Sequence, residues 1–229
     1  MGEDGSGDGA RTTAPPVRLV VWDLDGVLTE VRSIWDHLLR TLGHGDACDA
    51  NKELYFSGKI NYQRWAELDV ALMRGTPRER LEALVADIPL TPGAREAVAA
   101  VTDAGAENLI ISSGLNVLAE RVSSELSVPY ITNRLNYRDG LVDGVEVVCS
   151  LDNKGELLTA ALDERGLGPA DCAAVGDARP DIPMLQVAGH PIAFRAHDEE
   201  VLAVCSQRTD DMAELAAMLS RLCSGGGDG

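Results

Sequence analysis

The spacing of apolar and polar positions changes several times along the chain, and each change marks an element. Val17 to Trp22 is a short apolar run that stops abruptly at Asp23, the pattern of a strand buried on both faces of a parallel sheet. From Val31 to about Ala86 the period lengthens to three or four residues: Ile34, Trp35, Leu38 and Leu39 share one face, and Trp65, Leu68, Asp69, Leu72 and Met73 share another. No strand pattern interrupts this stretch, so residues 31–87 read as a helical lobe inserted after the first strand.

Helix-forming residues then run from Ala94 to Ala104, between Pro92 and a stop at Gly105. Asn108 to Ile111 is a second buried strand, with Ser112, Ser113 and Gly114 following it and a helix expected over Leu115 to Leu126. Val128 to Thr132 is extended. Leu135 to Val148 alternates around Asp139-Gly140 and Asp143-Gly144, dipeptides that favour hairpin turns. Lys154 to Arg165 predicts a helix, Cys172 to Val175 a strand, Pro183 to Val187 part of a helix, and Ile192 to Phe194 a last short strand. Strands alternating with helices predict an α/β fold, a doubly wound, mainly parallel, Rossmann-like sheet with a small hairpin excursion. Its core takes residues 17–30 and 88–223, and the Gly-rich segments 1–16 and 224–229 are tails.

Composition narrows the function. The net charge of −17, from 37 acidic against 20 basic residues, argues against nucleic acid or an anionic membrane as partner, because phosphate backbones would be repelled. Five scattered cysteines with no C-x-x-C pair read as reduced thiols, and no apolar stretch is long enough for a signal or a span, so the cytoplasm is the expected location.

The chemistry lies just past the strands. Asp23-Leu24-Asp25-Gly26 places two carboxylates two residues apart, which puts both on one face if the backbone stays extended. A calcium loop also opens with D-x-D, but here glycine comes too early and the twelfth position is Ile34. Gly176-Asp177-Ala178-Arg179-Pro180-Asp181 repeats the design after a later strand. Clustered carboxylates raise one another's pKa unless a cation sits among them, and magnesium suits a few carboxylates with water and phosphate oxygens. Lys154, one of only three lysines, heads a helix, where the helix dipole disfavours it, so it points to an anionic partner. Ser112 offers a hydroxyl, and the N–H groups of Ser113 and Gly114 are placed to cradle phosphate before the next helix.

These four motifs, in this order, resemble the haloacid dehalogenase superfamily of phosphatases, in particular the phosphoserine-phosphatase-like branch with a helical cap between its first two motifs. Gly58-Lys59-Ile60-Asn61-Tyr62 in the cap also looks like that branch. The resemblance runs from about Val17 to Leu222. It implies a hydrolase of small phosphorylated metabolites, phosphoserine first, with Asp23 as nucleophile, Asp25 as acid and base, and Ser112, Ser113 and Lys154 on the phosphate. It further implies Mg2+ held by Asp23, the Asp25 carbonyl and Asp177, with Asp181 in support.

Other small phosphate esters, transfer of the phosphoryl group to an alcohol, and a silent binding role are the alternatives, the last opposed by the intact motifs. The branch holds the serine ammonium with a glutamate nine residues after the nucleophile, where this chain has Arg32, with Glu30 nearby. Its cap arginine is replaced around Glu67 to Asp69, leaving Arg64 as a neighbouring candidate for specificity. The four histidines lack zinc-site spacing, and Trp35, Tyr55, Tyr62 and Trp65 are expected to be core rather than pocket.

Overall fold

A computed structural model describes residues 16–225. The strands are β1 (Leu19–Trp22), β2 (Glu107–Leu115), β3 (Tyr130–Arg138), β4 (Leu141–Glu146), β5 (Cys172–Gly176), β6 (His190–Phe194) and β7 (Gln207–Thr209). They form one sheet in the order β4-β3-β2-β1-β5-β6-β7. All neighbours pair in parallel except β3 with β4, an antiparallel hairpin turning at Asp139-Gly140. Asp143-Gly144, the second expected turn, lies inside β4 where the register shifts between Asn136 and Tyr137. The hairpin absorbs the dipeptide as a bulge.

Side chains alternate across the sheet. Val20, Trp22, Ile110, Val175 and Phe194 face one core, and Leu19, Val21, Leu109, Ile111 and Ala174 face the other. Helices α5 (Ala94–Asp103), α6 (Asn116–Leu126) and α10 (Met212–Cys223) cover the first face, and α7 (Lys154–Arg165), α8 (Ile182–Val187) and α9 (Glu199–Val204) the second. Between β1 and α5 come α1 (Ile34–Thr41), α2 (Gly45–Phe56), α3 (Tyr62–Met73) and α4 (Arg78–Ala86). Leu38, Leu39, Val70, Met73, Leu81 and Val85 join these helices to the first core. The link from α3 to α4 is stitched to the hairpin: Gly75 N–H donates to the Val142 carbonyl, Val142 N–H to Thr76, and Arg78 N–H to Gly140.

Two elements depart from the sequence-based expectation near the second motif. β2 runs on to Leu115 instead of ending at Ile111, and α6 begins only at Asn116. Ser113 and Gly114 therefore lie in the extended backbone of β2, one strand running directly into the helix. Of the expected tails, only Pro16, Ser224 and Gly225 fall within the described residues. No described helix is long and apolar enough to cross a membrane, and the five cysteines are free thiols.

Candidate active site

β1 is flanked by β2 and β5, so the chain reverses its direction of strand addition beside it, and a crevice opens beyond the carboxyl ends of the three strands. Asp23 follows β1, Ser112 lies near the end of β2, and Asp177 follows β5. All three line one cavity of about 200 Å³, together with Asp25, Ser113, Lys154 and Asp181. Each catalytic candidate read from the sequence is thus brought to one place.

Lys154 is the buried hub of the cluster. It is 1% exposed, and its Nζ donates to Asp23 Oδ1 at 2.6 Å and to Asp181 Oδ1 at 2.6 Å. Burial alone would lower its pKa, but the charges of Asp181 and Asp23 outweigh this and hold it well above the usual lysine range. The other Asp181 oxygen accepts the N–H groups of Asp177 (2.9 Å) and Ala178 (3.1 Å), which fixes the loop carrying Asp177. Both oxygens of Asp181 are thereby occupied by the protein, as a supporting group requires. Gly176 makes room for it: a Cβ there would lie 2.5 Å from the Asp181 Cβ.

The carboxylates differ in surroundings. Asp23 is pushed up to about 6 by burial and then by the Asp181 charge, with Lys154 pulling it back. Asp25 is pushed up to about 7 by burial and the Asp23 charge. Its Oδ2 accepts the Ile34 N–H at 2.7 Å, which anchors it to the first turn of α1, while its Oδ1 is buried with no partner. Asp177 reaches about 8, again by burial first and Asp23 second. Gly26, at φ +89°, turns the chain after Asp25 and lets Asp177 approach, since a Cβ there would sit 2.5 Å from Asp177 Oδ2.

Carboxylate oxygens of Asp23, Asp177 and Asp181 lie within 4.8 Å of one another. Hard oxygen donors, raised carboxyl pKa values and a carboxylate against a glycine fit a small divalent cation such as magnesium. Because Asp181 is fully bonded, Asp23 and Asp177 are the side chains free to hold it.

The second motif works differently from the sequence-based expectation. Gly114 N–H donates to Ser112 Oγ at 3.0 Å, so it is engaged inside the strand end and not held out as part of a helix N-terminus. The Ser113 carbonyl is a junction that accepts Trp35 Nε1 (2.9 Å), the Tyr62 hydroxyl (3.1 Å) and Asn133 Nδ2 (2.8 Å). Asn133, fully buried on β3, also receives the Val148 and Cys149 N–H groups at 2.9 Å. It ties the serine loop to the segment leading into Lys154. Sequence reading missed it because one asparagine in a strand looks like any polar position.

Of the three specificity candidates, only Arg32 lines the cavity. Glu30 is turned outward into an ion pair with Arg195 at 3.2 Å, and exposed Arg64 pairs with Glu67 at 3.1 Å. Both are corrected to surface roles. The aromatic residues are corrected in the opposite direction: Trp35, Phe56, Tyr62 and Trp65 form a wall of the cavity, with Tyr55 stacked on Trp65 at 4.7 Å between ring centroids.

The family model of haloacid dehalogenase-like hydrolases matches residues 20–186, which hold all of the motifs described. The chain belongs to this family. It is 32% identical over 184 residues to a phosphoserine phosphatase of Archaeoglobus fulgidus, an alignment covering 79% of this chain and 53% of that protein. With a phosphoserine phosphatase of Methanocaldococcus jannaschii it shares 29% over 198 residues, covering 84% and 93%. The chain thus spans about half the length of the first relative and nearly all of the second. A solved phosphoserine phosphatase, captured as an analogue of its phospho-aspartyl intermediate, superposes with a TM-score of 0.76 at 25% identity, covering 89% of this chain and 99% of that one.

Proposed function

We propose that the protein is a magnesium-dependent phosphomonoester hydrolase acting on phosphoserine through a phosphorylated Asp23. The observation that carries this reading is the contrast between two neighbouring carboxylates. Asp23 is pinned by Lys154, and Asp25 keeps one buried oxygen free and titrates near neutrality. The first suits a nucleophile held in place, and the second a group that gives and takes a proton. The names of the relatives and the cavity's size support the substrate. At about 200 Å³ it holds several water volumes of roughly 30 Å³ each, enough for a small ester.

A carboxylate oxygen of Asp23 attacks phosphorus while the bond to the leaving oxygen breaks, and Asp25 gives that alkoxide its proton. Asp25 then takes a proton from the water that attacks the aspartyl-phosphate, which frees phosphate and restores Asp23. Ser112 and Lys154 hold the transferring oxygens, with Ser113 beside them, and Lys154 keeps Asp23 in register. Mg2+ would be held by Asp23, Asp177 and the Asp25 carbonyl, with Asp181 behind them, and when bound it supplies positive charge to the cluster and the phosphoryl oxygens. The helices of residues 31–87 act as the cap, and exposed Arg32 and Lys52 at the cavity edge offer positive charge to the substrate carboxylate. The proposed partners are small phosphorylated metabolites, after the names of the relatives, and the cytoplasm is the proposed site of action.

Phosphate release from phosphoserine with magnesium, and its loss in excess chelator, tests the function. Release from other esters but never from phosphoserine would overturn the substrate, and chelator-resistant release would overturn the metal.

The raised carboxyl groups also make a stability prediction. Asp23, Asp25 and Asp177 have folded-state pKa values of about 6, 7 and 8 against an ordinary 3.8. For such groups the contribution to stability is full below pH 4 and is lost as pH rises through 6 to 8. A cation reverses that loss by binding the ionised, folded cluster. The rise in Tm on adding magnesium is therefore expected to be small at pH 5 and several degrees larger at pH 8. An equal rise at both, read by thermal unfolding, would contradict the cluster as the metal site.

A further inference from the structure

Asp69 is a buried carboxylate with no part in the chemistry above. It lies on the apolar face of α3, is 2% exposed, and lines the same cavity as Asp23 and Asp25. Asn51 Nδ2 donates to its Oδ1 at 2.8 Å, and it takes part in none of the ion pairs among the described residues. Neither Arg32 nor Lys52, the basic residues at the cavity edge, reaches it. An ionised carboxylate buried without a counter-charge is costly, and a helix face otherwise built of Ala66, Val70 and Met73 has no need of one. The indole N–H of Trp65, one turn earlier, is buried without a hydrogen bond of full geometry, though it is near enough to help hold the Asp69 charge. Burial raises Asp69 to about 6, with Asn51 opposing, so it carries charge at neutral pH. Trp35, Tyr62 and Trp65 line the same cavity, and aromatic rings attract cations through their faces.

We infer that this wall of the cavity receives an ammonium group on the leaving alcohol, with Asp69 as its counter-charge and the aromatic rings as its packing surface. The inference rests on the phosphatase reading and deepens it. Recognition centres on the ammonium, so the substrate class is the phosphate ester of an amino alcohol, with or without a carboxylate. Asp69 is then the residue that separates such esters from neutral ones of the same size.

The test uses the full chain with magnesium and three esters: phosphoethanolamine, 2-hydroxyethyl phosphate, which puts a hydroxyl where the ammonium stands, and phosphoserine. Wild-type protein is expected to prefer phosphoethanolamine over 2-hydroxyethyl phosphate by at least about tenfold in kcat/KM, and Asp69→Asn to bring that ratio to within about twofold. A ratio is insensitive to how much of a variant is folded. If Asp69→Asn does not fold at all, the wild-type preference still decides, and a value below about threefold overturns the inference. So does a preference that survives in folded Asp69→Asn. Turnover of phosphoserine without the expected ratio would fell the inference and leave the hydrolase standing, whereas release from none of the three esters would fell both.

Discussion

Asp23→Asn is expected to abolish turnover, lowering kcat by roughly four orders of magnitude or more, while the protein stays folded. The amide is not a competent nucleophile toward phosphorus, and no other described carboxylate can replace it. Asp25 is tethered to Ile34 N–H, Asp181 is saturated, and Asp177 lies against Gly26. Folding survives because Lys154 keeps its 2.6 Å contact with Asp181. Appreciable phosphate release by the purified variant would show that the covalent route is wrong.

Lys154→Met is expected to damage both stability and catalysis. The lysine is one of the largest side chains buried in the protein, and methionine nearly fills its space, so the effect isolates charge from volume. Removing it leaves Asp23 and Asp181 buried as like charges, a defect of about 3–5 kcal/mol when one partner of a buried pair is lost. Loss of a positioned cation at the phosphoryl group should lower kcat by about two to three orders of magnitude in whatever fraction remains folded. Part of the stability should return at low pH, where Asp23 takes a proton. Denaturant unfolding within about 1 kcal/mol of wild type would contradict the role of Lys154 as the hub.

What could be read from the sequence was whatever breaks a local rule. An apolar strand ending in aspartate, a second strand ending in Gly-Asp, and a lysine at the wrong end of a helix each stand against their surroundings. All three were found at the crevice beside β1. Asp69 also broke a rule, sitting on a buried helical face, but its consequence shows only once that face is seen to line the cavity. Residues that obey local rules while serving a distant one were not legible. Asn133 reads as an ordinary strand residue, and its side chain's five hydrogen bonds reach four residues from α3, β2 and the stretch before α7.

The C-terminal elements were missed for a related reason. β7 is three residues, all of them polar, and nothing in that spacing separates it from a loop. It exists because the edge of β6 offers unpaired backbone groups, and α10 packs against α5 across the first face of the sheet. The continuation of β2 past Ile111 is decided at long range too. Ser113 is held extended by Trp35, Tyr62 and Asn133, none of which is its neighbour in sequence. A long-range contact of this kind also turned Glu30 outward, through Arg195, whereas Arg64 is held at the surface by a partner three residues along its own helix, Glu67.

The phosphorylated Asp23 is the central claim, and acid-quenched labelling tests it most directly. Wild-type protein is mixed with magnesium and phosphoserine carrying a radioactive phosphoryl group, quenched in acid within the first turnovers, and digested for peptide mapping. The expected result is label on the peptide containing Asp23, released by mild alkali as an acyl phosphate is, and missing from Asp23→Asn. Steady phosphate release with no protein-bound label at any quench time, or label on a peptide without Asp23, would contradict it.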